Sequence, residues 1–345
     1  MTSNLNEKDE NVPHSSDEAS EQGDSEKEKV EKDFIPHFFP TITVNRNLYP
    51  IPILIAIICA GILTYLTDAV AGVQIEGGYF SEAEYGATAG LLNGLIFTVV
   101  AVASAFVIIF IVKRKGINVL KYIFGLSIGF LIILQSLFFG EIILYLIFVS
   151  IQPFENIQVI YNIVYYSMLV GIIVISIFMM YKYFSTESLI IKNSVVLYVG
   201  LLTGALLGIM MPLWTTIAIL IGISLWDIFA VLYKKGPIKQ MIDLASGISD
   251  EEIEEKIKSG EIDYDTSKLE LGIGDLVFYS MLTSASLILT GNLIIVLLTT
   301  LAIVIGTGIT IQGLKRNKIL PGLPISIFLG LGTFLISWAV LVYLL

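Results

Sequence analysis

Charge is scarce in this sequence. Asp, Glu, Lys and Arg make up 14% of the 345 residues, against roughly a quarter in an ordinary soluble domain. Hydrophobic residues make up 55% and the mean hydropathy is +0.84. That balance excludes a water-soluble globular chain and implies an integral membrane protein. Cysteine is almost absent: Cys59 stands alone, so no intrachain disulfide staples the fold. The two histidines, His14 and His37, fall outside the hydrophobic runs. With one cysteine they make no metal cluster, and no cofactor is implied. Aromatics are missing from residues 1–33, which are crowded with Glu, Asp, Ser and Lys. Such a composition buries too little apolar surface to offset ordering entropy, so residues 1–48 read as a disordered acidic cytoplasmic tail. No apolar signal-peptide core lies in it, which leaves insertion to the first hydrophobic span. The net charge of −10 comes largely from this tail and one later loop, and argues against nucleic acid as a partner.

What the chain has is long apolar runs, each enough for a helix of about 20 residues across a core of roughly 30 Å. Nine are predicted, near 50–70, 88–112, 118–149, 158–183, 189–210, 212–233, 271–290, 292–314 and 320–344. The fold class is therefore an all-α polytopic membrane protein, with helices 1–6 in residues 49–233, a cytoplasmic loop at 234–270 and helices 7–9 in 271–345. The third run is too long for a straight crossing. It is tilted, or it ends near Gly140 and continues along the interface. Positive residues stay on the cytoplasmic side of short loops. With the N-terminus inside, the tail and the segments around 113–117, 184–188, 234–270 and 315–319 hold 5, 4, 2, 6 and 3 Lys plus Arg, all 20 in the chain. The segments around 71–87, 150–157, 211, 291 and the C-terminus hold none. Nine spans with the N-terminus cytoplasmic and the C-terminus extracytoplasmic are the consequence.

Of the acids inside these runs, where ionisable groups are expensive by about 2.5–3.5 kcal/mol or more, two stand out. Asp275 follows Gly272-Ile-Gly at the mouth of the seventh run, and Asp227 lies in Leu225-Trp-Asp-Ile-Phe-Ala near the end of the sixth. Counted as helix, Asp275 lies about 7–8 Å in from Glu270 and Asp227 about 10 Å from Lys234. Two carboxylates at matched depth on consecutive spans share a proton. One then activates a water as general base, and the other, protonated, polarises a scissile carbonyl. A buried acid pair also marks ion pathways, so a proton- or cation-coupled transporter or channel is the alternative. Gly272 and Gly274 let another backbone approach or simply pack helices, and Pro321 and Pro324 suit the first turn of a helix. Glu141, Gln135, Asn93 and Asn162 read as interhelical hydrogen-bonding groups, Asp68 as an outer-end acid in contact with water, and Ser249–Ser259 as a solvated amphipathic helix.

Trp226-Asp-Ile-Phe-Ala-Val-Leu, Lys235-Gly-Pro-Ile-Lys-Gln-Met, Gly272-Ile-Gly-Asp-Leu-Val-Phe-Tyr-Ser280 and Pro321-Gly-Leu-Pro-Ile-Ser-Ile327 together resemble the presenilin and signal peptide peptidase family of intramembrane aspartyl proteases, in order, spacing and host span. The resemblance is closest to the microbial and archaeal presenilin homologues. It implies that Asp227 and Asp275 are the catalytic pair, with Gly272 and Gly274 lining the site. Pro321, Gly322 and Leu323, followed by Pro324, correspond to the family's PAL segment, which supports the site and contacts substrate. Trp226 stands where the family has tyrosine, and Gly322 where it has alanine. The short six/seven loop lacks a long hydrophobic insert, which implies action as an uncleaved single chain. The implied partners are the lipid bilayer and single-span transmembrane-helix proteins with an outside N-terminus, and the implied address is the plasma membrane. A helical substrate must unwind before water reaches its carbonyls, and the freed backbone needs new partners. Strand addition at Gly272–Gly274, at Pro321–Pro324 or after Lys234 would supply them.

Overall fold

The computed structural model describes residues 40–314 and 321–344, apart from positions 74, 154, 187, 234–235, 238–239 and 241–267. Among these residues, nine helices are long and apolar enough to cross a membrane. They are α1 (Pro50–Tyr65), α2 (Ala87–Lys115), α3 (Val119–Val149), α4 (Ile157–Ser185), α5 (Leu189–Met210), α6 (Leu213–Leu232), α7 (Ile273–Thr290), α8 (Leu293–Leu314) and α9 (Leu323–Leu344). The fold is an all-α polytopic membrane protein. The tail residues 1–39 and most of the 234–270 loop, with its acidic Ser249–Ser259 segment, lie outside the described residues.

Local sequence explains the helix ends. Pro50 opens α1, where its missing N–H costs nothing. Pro212 caps α6 directly after Met211, a residue that its proline neighbour holds extended. Gly291 ends α7 in the left-handed region, at φ 58°, where a Cβ is penalised, so α7 and α8 turn back on each other within two residues. The third run is one unbroken 31-residue helix, about 46 Å long, with no break at Gly140.

Two stretches differ from the expected boundaries. Thr41–Asn45, placed by composition at the end of the tail, forms a strand, β1, followed by a 3-10 turn at Arg46–Leu48. Its partner β2 is Lys268–Gly272, which includes the first two residues of the expected seventh span. The two run antiparallel, with Thr41 opposite Gly272 and Asn45 opposite Lys268.

The core is built on small residues. Hydrocarbon gives helices no hydrophobic reason to associate, so close backbone approach has to supply the attraction. The most extensive helix contact joins α5 to α7, through Gly200, Gly204 and Gly208. A Cβ at Gly204 would overlap Ser280 and lie 2.8 Å from the Val277 carbonyl, and one at Gly208 would overlap Ser284. On α2, Gly90 and Gly94 press on Trp214 and Ala218 of α6, and Gly306 of α8 presses on the backbone of Ser326 in α9. α1 buries Ile53, Ala56, Ile57 and Ala60 against α5 and α7. By contrast α4 fully buries only Ser176 and Tyr183 and packs chiefly along α3.

Interhelical hydrogen bonds fix the register of this packing. Gln135 of α3 donates to Thr203 of α5 at 2.9 Å, and Asn93 of α2 donates to Thr215 of α6 at 3.1 Å. Tyr165 of α4 donates to Glu141 of α3 at 2.9 Å. Asn162 instead bonds within its own helix, to Gln158. At the start of α6, Glu82 accepts from the amides of Trp214 and Thr215 and from the Thr215 hydroxyl. A carboxylate is at home there, on the otherwise unpaired donors of a helix N-terminus.

Candidate active site

Asp275 owes its position to a change of backbone. β2 ends at Gly272, which is the N-cap of α7, so Asp275 is the third helical residue. Its carboxylate turns back towards the backbone of Gly272, the direction that acids at this position of a capping box take. Extended residues rise about 3.3 Å each and helical ones about 1.5 Å. Asp275 therefore lies about 11 Å beyond Glu270, deeper than an all-helical count gives and closer to the depth of Asp227. Among the described residues, a Cβ at Gly272 or Gly274 would meet nothing nearer than 3.9 Å. The two glycines leave the approach to Asp275 open and do not pack helices there.

The strand pair is anchored on its far side. The Ile273 amide donates to the Pro40 carbonyl at 3.2 Å. By the alternation of antiparallel ladders, Leu271 and Leu269 point their backbone groups at β1, and Gly272 and Glu270 point theirs away. Thr43, on the same logic, faces away from β2. Its amide donates to Asn193 Oδ1 at 3.0 Å, and its carbonyl accepts from Asn193 Nδ2 at 2.7 Å. Asn193 of α5 thus takes the place of a third strand behind β1. Arg46 donates to the Ile311 carbonyl and Tyr49 to that of Val304, which ties the start of α1 to α8.

Asp227 lies five residues before the end of α6. Its Oδ2 accepts the Leu323 amide at 3.2 Å, and a Cβ on Gly322 would stand 3.4 Å from Asp275 Oδ2. Leu323 therefore holds Asp227 through its amide while the adjoining Gly322 lies beside Asp275. Pro321, Leu323 and Pro324 are buried around this junction, whereas both aspartates remain partly exposed. Pro324 has no N–H to orphan in the first turn of α9, and the Leu323 N–H is the one given to Asp227. Trp226 turns its ring to Phe106 of α2, at 6.0 Å between centroids, and to Phe229, at 5.6 Å.

One turn below Asp275, Tyr279 is buried with its hydroxyl 3.4 Å from Thr307 Oγ1, which lies 3.0 Å from Ser326 Oγ. This chain of hydroxyls joins α7, α8 and α9 beneath the acids. Tyr279, Thr307, Ser326, Asn193 and Thr43 escape a reading of the sequence alone. Tyr279 was within sight in the Gly272–Ser280 motif, and Asn193 as an amide in an apolar run.

The presenilin family model matches residues 53–257 and 248–344. The chain belongs to the presenilin family. Within that family it is 36% identical to Presenilin-B of Dictyostelium discoideum over 133 residues, 37% of this chain and 26% of that protein, so the match spans about a quarter of that relative. It is 24% identical to a presenilin-like protein of Arabidopsis thaliana over 314 residues, 70% of this chain and 75% of that one. The fold is also that of a presenilin family intramembrane aspartate protease solved in two crystal forms. The C222 form has a TM-score of 0.53 at 14% identity, covering 84% of this chain and 98% of that one. The P2 form gives 0.52 at 16%, with 84% and 96% covered. The presenilin fold thus brings Asp227, Asp275, Gly272, Gly274, Pro321, Gly322, Leu323 and Pro324 to one end of the bundle.

Proposed function

We propose that this presenilin-family chain is an intramembrane aspartyl endopeptidase that hydrolyses peptide bonds within or near single-span transmembrane helices, with Asp227 and Asp275 as its catalytic dyad. The observation that carries the proposal is the junction at Gly322 and Leu323, on which both carboxylates converge. One carboxylate, ionised, takes a proton from a water held between the pair while the water oxygen adds to the scissile carbonyl carbon. The other, protonated, gives its proton to the carbonyl oxygen, which yields a gem-diol. Collapse of the gem-diol breaks the C–N bond, with a proton passing to the departing nitrogen. Gly272 and Gly274 admit the substrate backbone. Strand addition along Gly272 to Gly274 would give its freed backbone new partners, and Pro321 to Pro324 hold the acids and contact the substrate.

The distribution of Lys and Arg supports a cytoplasmic N-terminus, an extracytoplasmic C-terminus and a site near the cytoplasmic face of the cell membrane. Substrates entering with their N-terminus outside then present their cytoplasmic end to the dyad. The test is cleavage of a tagged single-span reporter by the purified protein in liposomes. Asp227→Ala and Asp275→Ala, each folded, should reduce product at least about 1,000-fold, as loss of a member of an acid–base pair does. If wild type leaves every reporter uncut and proton or cation flux disappears with the same substitutions, the acids belong to an ion pathway and the proposal fails.

A further inference from the structure

At the opposite end of the bundle from the dyad, α3 and α4 flank an open cleft of about 420 Å³ lined by Glu141, Tyr145, Tyr161, Asn162, Tyr165 and Tyr166. The spacing builds it. Glu141 and Tyr145 are one turn apart on α3, and the pairs 161/165 and 162/166 are one turn apart on α4. Tyr161 and Tyr165 stack at 14° between planes, and Tyr166 meets Tyr165 edge-on, 5.5 Å between centroids. The Tyr165 hydroxyl donates to one oxygen of Glu141.

Among the described residues no ion pair holds this carboxylate. No Lys, Arg or His occurs between positions 122 and 181, and Lys121 is about 30 Å down α3 at 1.5 Å per residue. α3 exceeds a core of roughly 30 Å by about 16 Å. With the overhang shared equally, Glu141, eight residues from the end of α3, lies only about 4 Å inside the hydrocarbon boundary. A counter-charge is on offer at the level of the headgroups. A carboxylate beside a group of tyrosine rings suits an ammonium or trimethylammonium group.

A second groove continues from the same cleft. It shares Tyr166 and runs along α4 past Val170, Gly171, Val174 and Ile175, and a Cβ on Gly171 would meet open space. The groove is shallow and apolar and follows α4 towards the middle of the membrane, the course an acyl chain takes.

We propose that the α3/α4 cleft is a binding site for a phospholipid with an ammonium headgroup, the cation held by Glu141 and the tyrosines and one acyl chain laid along α4. The full-length protein, released from nanodiscs of equal phosphatidylethanolamine and phosphatidylglycerol into a native mass spectrometer, should retain the ethanolamine lipid at least about fivefold over the glycerol lipid. Glu141→Gln should bring the ratio to near one. Gly171→Leu, placed in open space and so harmless to folding, should lower retention of the ethanolamine lipid by a similar factor. Wild type without headgroup preference overturns the proposal, as does an unchanged ratio in Glu141→Gln. If free tetramethylammonium displaces the lipid at millimolar concentration and Gly171→Leu changes nothing, the cleft is a site for a bare cation and the lipid assignment fails.

Discussion

At the scale of single residues, the glycines around the acids differ in what they do, and substitution separates them. Gly272 and Gly274 have nothing within 3.9 Å of a new Cβ, so Gly274→Ala should leave thermal stability unchanged within about 0.5 kcal/mol while raising KM for the reporter. A fall in stability would mean that Gly274 packs a helix and does not clear a path for substrate. Gly322→Ala places its Cβ 3.4 Å from Asp275 Oδ2, an ordinary van der Waals distance, and restores the residue found in the PAL motif. It should keep kcat within a few-fold of wild type in the same liposome assay. The acids were legible in the sequence because a carboxylate in an apolar run is conspicuous. The residues that hold them were not. Leu323 contributes a backbone amide, which no side-chain pattern announces, and Tyr279, Thr307 and Ser326 look alike in sequence whether or not their hydroxyls meet.

At the scale of elements, the helices could be read from hydropathy because each is an uninterrupted apolar run, whereas the strand pair could not. Thr41-Ile-Thr-Val-Asn45 and Lys268-Leu-Glu-Leu-Gly272 both alternate as strands do, but they are separated by more than 200 residues, and each adjoins a stretch of different character that absorbed it. Asn193 gives the pair its far boundary. Asn193→Leu removes two hydrogen bonds to Thr43 and should cost about 1–3 kcal/mol, measured by chemical denaturation in micelles. It should also broaden the set of cleavage positions in the reporter, resolved by mass spectrometry of the products. A single unchanged product would detach β1 from the placement of substrate. Between helices, Gly204→Val should destabilise by about 1–3 kcal/mol or more through overpacking against Ser280, whereas Gly61→Val, which meets nothing within 4 Å, should be neutral.

At the scale of the whole molecule, the up-and-down succession of nine spans among the described residues puts Arg46, Lys113, Arg114, Lys115, Lys121, Lys182 and Lys192 at one end, the end that also carries the acids. An impermeant thiol reagent added outside sealed cells should label Ser150→Cys and spare Lys115→Cys; the reverse pattern would invert the topology. Cys59, only partly exposed within α1, is the background to subtract. The position of the acids also has an electrical consequence. Asp227, five residues from the end of α6, and Asp275, in the first turn of α7, lie at most about a third of the way through a 30 Å layer. One charge crossing the full layer is worth about 2.3 kcal/mol per 100 mV. A proton travelling between the nearer solution and the acids therefore feels at most about 0.8 kcal/mol per 100 mV. An enzyme built this way is nearly blind to membrane voltage, and a potassium diffusion potential of 100 mV across the liposome should change its turnover by less than about fourfold.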